Sequence, residues 1–286
     1  MNLRMVARLT LITLLAAACS TGGSVPSPEA SVAPPTTAAS TAAAAPSSAT
    51  AVEVTIYAAA SLKGVLVKAK TAYEAAIPGT TLTISTDSSS ALETQIDQGA
   101  PADVFLSADT TNPKKLVDGG FASGAAVTFA GNVLTVIVPT ANPGGVTTPA
   151  DLAKAGLKVV AAGGAVPITK YATQLIANLA NEPGYPADFA TGYAANIVSK
   201  EDNVKAVVAK IELDEGDAGI VYVTDARAST KVTAIDVPSS ANVPATYAGV
   251  VVKASLHQDA AQAFLTWFAG PDGQAILGSF GFLPPS

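Results

Sequence analysis

Few side chains of this 286-residue sequence could carry covalent chemistry. It has a single histidine, His257, and a single cysteine, Cys19. No serine stands in a G-x-S-x-G turn, so a Ser-His-Asp hydrolase would lack its nucleophile. One histidine and one cysteine cannot build a zinc site of the usual kind. Neither a Walker loop nor a G-x-G-x-x-G turn occurs. Asp214-Glu215-Gly216-Asp217 is acidic but lacks calcium-loop spacing and reads as a solvated turn. His257 reads as a surface residue. The expectation is a protein that is not an enzyme, with no metal bound as a cation and no cofactor.

What remains are places where a helix starts after a strand or loop, each with a small hydroxyl or a free backbone N–H. Ala58-Ala59-Ala60-Ser61 is one, and Asp87-Ser88-Ser89-Ser90 is another. Val166-Pro167-Ile168-Thr169 and Asp202-Asn203-Val204 complete the set. A helix N-terminus presents unpaired N–H groups and about half a positive charge. Several aimed at one point hold an anion without Lys or Arg. Each also has a purely structural reading. Ser61 serves as an N-cap, Ser90 with Glu93 reads as a capping box, and Pro167 suits a first helical turn. Lys63 and Lys170 stand near two of these starts and read as exposed helix lysines.

The elements that must position them alternate along the chain. Strand-like runs cover residues 52–57, 81–85, 103–106, 133–138, 157–161, 219–223 and 247–252. Leu62, Val65, Leu66, Ala69 and Tyr73 recur at helical spacing, and further helices are expected over 91–98, 170–180, 186–198, 204–213 and 258–269. The helix from Val204 should bury Val204, Val207, Val208 and Ile211. Strands alternating with helices predict an α/β protein with mainly parallel sheets.

The N-terminal segment reads differently. Residues 1–18 have the pattern of a signal peptide, with basic Arg4 and Arg8 before a short apolar run. That run of about ten residues is too short to span a bilayer, which needs roughly 20. Cys19 follows Ala16-Ala17-Ala18, the position at which a bacterial lipoprotein is acylated, so lipidation is expected there. Residues 20–51, rich in Ser, Thr, Ala and Pro with one charge, Glu29, read as a flexible tether. Folded structure is expected from Val52 onward. The formal charge is −6, and losing Arg4 and Arg8 leaves −8. An acidic chain that is only 6% aromatic is a poor nucleic-acid binder.

The residues at these helix starts, taken with others in order, resemble the periplasmic molybdate-binding proteins of ATP-driven importers. That family has A-A-A-S-L at the end of a strand, as in Ala58 to Leu62, and a serine run before a short helix, as in Ser88 to Leu92. Its G-A-P-A-D segment is matched from Gly99 to Asp103 and continues to Ser107-Ala108-Asp109. G-N-x-L is matched from Gly131 to Leu134, V-P-x-x-x-Y-A from Val166 to Ala172, and acidic-N-V by Asp202-Asn203-Val204. G-I-V-Y-x-x-D-A spans Gly219 to Ala226, and an aromatic-Gly-Phe ending is Phe280-Gly281-Phe282.

The resemblance implies a two-lobed periplasmic-binding-protein fold of type II with two crossover hinge strands. Lobe 1 would be residues 52–131 plus 247–286, and lobe 2 residues 132–246. It implies that Ser61 and Ser90 bind the oxyanion through hydroxyl and N–H, Ile168 and Val204 through backbone N–H, and Tyr222 through its hydroxyl. Many relatives have Ala-Gly after the proline, where this chain has Ile168-Thr169; a backbone donor survives that change. The implied ligand is molybdate, with tungstate of nearly the same size. The implied partner is the permease of an ABC importer, with the protein a monomer held outside the cytoplasm by lipidated Cys19. Another oxyanion such as sulfate, or a surface lipoprotein with no small ligand, is the alternative. A fully deprotonated dianion only accepts hydrogen bonds, so the pocket is expected to offer donors and no carboxylate.

Overall fold

The computed structural model describes residues 51–285. The expected signal peptide, Cys19 and the tether lie outside them, apart from Ala51. No helix among the described residues is long and apolar enough to cross a membrane.

The chain opens with strand β1 (Val52–Ala59), a 3₁₀ turn (Ala60–Leu62) and helix α1 (Lys63–Ala76). Val65, Leu66, Ala69 and Tyr73 lie on the buried face of α1, as their spacing requires. Strand β2 (Thr80–Asp87), helix α2 (Ser89–Asp97), strand β3 (Val104–Ser107) and helix α3 (Thr111–Asp118) follow. Then come strands β4 (Val127–Asn132) and β5 (Leu134–Pro139), parted only by Val133.

The middle of the chain holds β6 (Val159–Ala162), α4 (Pro167–Leu179), α5 (Phe189–Ala195), β7 (Ile197–Glu201) and α6 (Val204–Glu212). After them come β8 (Ala218–Tyr222), α7 (Val223–Arg227) and β9 (Val232–Ile235). Strand β10 (Ala245–Val251) and helices α8 (Gln258–Ala269) and α9 (Pro271–Ser279) end the fold.

These strands make two five-stranded sheets, ordered β2-β1-β3-β10-β4 and β7-β6-β8-β5-β9. The two orders match position by position. In each sheet the strand that runs against the rest, β10 or β5, is the first one after the chain has crossed from the other sheet. The crossings are at Val133 and through residues 236–244. The protein is therefore a two-lobed α/β fold. The sheets are mixed rather than mainly parallel, because each crossing strand enters in reverse.

Central strands β3, β5 and β8 are buried along their whole length and read as unbroken apolar or small-residue runs. In β8, Gly219 is required by packing. A Cβ there would stand 2.9 Å from Val207 Cγ1 of α6 and 3.1 Å from the Val160 carbonyl. One expected helix is wrong in part. Residues 186–198 form the short α5, and then Ile197 and Val198 enter β7. Burial there alternates with period two, and Ile197 pairs in parallel with Val159. Helices α3, α7 and α9 and strands β4 and β9 were not expected from apolar spacing.

Candidate functional site

Residues marked as helix starts come from both lobes and meet at one tight void of about 10 Å³. Ser61, Ile168, Val204 and Tyr222 all line it. Ala60, Ser88, Ser89, Ala108, Pro167, Asn203 and Asp87 are also in its wall.

Ser61 is not an N-cap. It lies inside the 3₁₀ turn, whose caps are made by backbone groups alone. Its Oγ is 3.0 Å from Tyr247 Oη of β10. Tyr247 in turn lies 3.5 Å from Asn132 Nδ2, which also donates to Thr224 Oγ1 at 2.9 Å. Asn132 Oδ1 accepts from Val133 N–H, which fixes the amide's orientation. The amide can then only donate to Tyr247, which leaves the Tyr247 proton free for Ser61 Oγ. That leaves the Ser61 O–H to donate into the void.

Ser90 does not line this void; it lies in the adjoining cleft with Asp87 and Ser88. Helix α2 begins two residues earlier than a Ser90 cap would need, with Ser88 as N-cap and no capping box. Ser90 is thus the second helical residue. Its Oγ turns back to Ser88 Oγ at 2.8 Å, and Glu93 pairs with Lys115 instead of capping. The serines in the wall are Ser88 and Ser89, and Ser89 Oγ accepts from Ala108 N–H at 3.0 Å. The serine run was legible as a run. Which serine faces inward depended on where the helix starts.

On lobe 2, Val166 is the N-cap of α4, so Ile168 is in the first turn after Pro167. Asn203 caps α6 by accepting from Ala206 N–H at 3.1 Å, which puts Val204 in the first turn. First-turn N–H groups have no acceptor within their own helix and are available to a ligand. The side chains of Ile168 and Val204 are buried, so only their backbones can serve it.

Tyr222 ends β8, and its Oη is buried with no hydrogen-bond partner. Burial, with Tyr247, Tyr171, Asp225 and Asp109 adding to it, pushes its pKa well above 10.0, so the hydroxyl keeps its proton. It is a donor with nothing to donate to. Its ring packs edge-on against Tyr247 and Tyr171, with centroids 5.7 and 6.3 Å away, which holds the hydroxyl in place. Phe282 of the C-terminal aromatic-Gly-Phe segment packs behind Tyr247 at 5.5 Å.

Lys63 and Lys170 are exposed and outside the wall, so the donors are neutral. The expectation that no carboxylate would be present fails. Asp87 is in the wall, with Oδ1 accepting from Ser88 N–H at 2.7 Å and from Asn203 Nδ2 at 3.0 Å.

Asp103, from the G-A-P-A-D segment, is structural. It accepts from Thr55 N–H and Ser255 Oγ, and His257 Nδ1 lies 3.6 Å away. A wider hollow behind α4 is lined chiefly by Ala, Ile and Thr, with Lys200 also in its wall. Among the described residues no group of His, Cys, Asp and Glu could hold a metal cation.

The chain is similar to known proteins. Residues 54–283 match the family model described as bacterial extracellular solute-binding protein. The molybdate-binding protein ModA of Mycobacterium tuberculosis is 34% identical over 233 residues, covering 81% of this chain and 85% of that one. The periplasmic molybdate-binding protein of Azotobacter vinelandii superposes with a TM-score of 0.69 at 24% identity, covering 82% of this chain and all of the other. The sulfate-binding protein SubI of Mycobacterium tuberculosis superposes with a TM-score of 0.72 at 21% identity, covering 82% and 87%. The last two are alike in fold yet named for different anions, so the fold alone does not choose the ligand.

Proposed function

The chain belongs to the bacterial extracellular solute-binding protein family, and on that premise we propose that it captures molybdate, and tungstate with it, for delivery to the permease of an ABC importer. The observation that carries this reading is Tyr222 Oη, a buried donor without a partner in a wall of neutral donors. Leaving such a group unpaired costs about 1–3 kcal/mol, which a bound acceptor would recover. First-turn N–H groups of three helices, with the Ser61 hydroxyl, surround the same void. The ModA relative's name supports molybdate over other oxyanions.

In this reading the protein is a monomer and not an enzyme, and it needs no cofactor. It is exported by the signal peptide and anchored outside the cytoplasm through Cys19. The lobes close on the anion by a hinge at the two crossings.

A thermal-shift panel on residues 52–286 tests the ligand. A ligand that binds only the folded state adds RT ln(1 + [L]/Kd), about 4 kcal/mol at a thousandfold excess over Kd. Molybdate and tungstate should raise the melting temperature while sulfate should not. A sulfate shift as large as the molybdate shift favours the alternative oxyanion. Absence of any shift leaves a surface lipoprotein with no small ligand. Cys19→Ser in the full chain should move the protein from the membrane fraction to the soluble one.

A further inference from the structure

We propose that Asp87 is a positioning residue that clasps the two lobes over the anion and, through its charge, slows anion entry. The proposal rests on the anion-binding reading above. Asp87 ends β2 in the first lobe, and Asn203 caps α6 in the second, 116 residues away. Their side chains meet at 3.0 Å, and both line the void.

Asp87 Oδ1 also accepts from Ser88 N–H, at the entry to α2. One carboxylate oxygen thus joins the starts of α2 and α6, the helices whose first-turn N–H groups face the same space. Asn203 is committed at both ends, with Oδ1 on Ala206 N–H and Nδ2 on Asp87. It cannot swing away without uncapping α6. Another polar contact between the lobes, Lys170 Nζ to Thr111 Oγ1, is longer at 3.3 Å and exposed, so it holds less firmly.

The clasp's charge opposes the ligand's. Glu201 and Asp202 stand with Asp87 around the adjoining cleft, and Lys210, 3.0 Å from Glu201, answers only that one. Among the described residues, no Lys or Arg lines the void or the adjoining cleft beside Asp87. An amide at position 87 would keep an acceptor oxygen for both Ser88 and Asn203 while removing the charge. The two roles of Asp87 therefore separate by substitution.

The experiment compares wild type, Asp87→Ala and Asp87→Asn in release and uptake of radiolabelled molybdate. Asp87→Ala should raise koff about tenfold, the scale of one lost charge-assisted hydrogen bond. Asp87→Asn should keep koff within about threefold of wild type and raise kon at low salt, with the gain vanishing at high salt. Amide exchange at residues 203–208 in the ligand-free protein should quicken in Asp87→Ala but not in Asp87→Asn. If Asp87→Ala leaves both koff and this exchange unchanged, or if Asp87→Asn releases as fast as Asp87→Ala, the clasp is refuted. A kon for Asp87→Asn that does not rise refutes the electrostatic part. If wild type takes up no molybdate, the functional reading fails, and the exchange data still decide the clasp.

Discussion

Ser61 Oγ and Tyr247 Oη lie 3.0 Å apart although 186 residues separate them in the chain. The contact ties the first helix start to the strand that returns from the second lobe, and it sets the direction of the serine proton. Tyr247→Phe should therefore weaken molybdate binding about fivefold, the scale of one neutral hydrogen bond, while the fold stays intact. Titration calorimetry measures the affinity, and circular dichroism checks the fold. Unchanged affinity would mean that Tyr247 does not orient the Ser61 hydroxyl toward the ligand.

Tyr222→Phe should move binding and stability in opposite directions. Its hydroxyl is buried and unpaired without ligand, so removing it should leave the ligand-free melting temperature unchanged or higher. Affinity should fall by tenfold or more, because the anion loses a dedicated donor. A fall in ligand-free stability with unaltered affinity would show that the hydroxyl serves the fold alone.

The two neighbouring serines should behave differently. Ser89→Ala removes a wall hydroxyl and strands the Ala108 N–H, so both affinity and melting temperature should fall, by about 1–2 kcal/mol in stability. Ser90→Ala removes only the bond to Ser88 and should change affinity by less than about twofold. A larger loss of affinity for Ser90→Ala would support the assignment that the resemblance implied.

Asp225 gives a pH signature. It is fully buried on α7, with Lys205 Nζ 2.9 Å from Oδ1. Burial raises its pKa above 3.8, and Lys205 opposes that rise. A raised folded-state pKa means that the folded protein holds this proton more tightly than the unfolded chain. Its contribution is then most favourable at low pH and declines as pH climbs from about 3.8 through the folded value. Asp225→Asn cannot titrate. The melting temperature of Asp225→Asn minus that of wild type should therefore increase from about pH 4 to about pH 7. A difference that is flat across this range would show that the carboxyl is not perturbed.

Some of this was local and so readable along the chain. The spacing of Val204, Val207, Val208 and Ile211 specified the buried face of α6, because a helix repeats every 3.6 residues whatever it packs on. The alternation of strands and helices indicated an α/β fold. Ile168 and Val204 lie in first turns because Pro167 and Asn203 start helices by local chemistry. What spacing could not supply was the fact that these starts converge; the resemblance did that. Only the tertiary structure put Ser89 in the wall of the void and Ser90 in the adjoining cleft, since that depends on where α2 starts. It alone brought Tyr247 to Ser61 and Asp87 to Asn203, because both pairs cross a fold in which each sheet receives a strand from the other lobe. A contact between residues more than a hundred positions apart leaves no mark on local periodicity, so the carboxylate in the wall came to light only once the lobes were seen together.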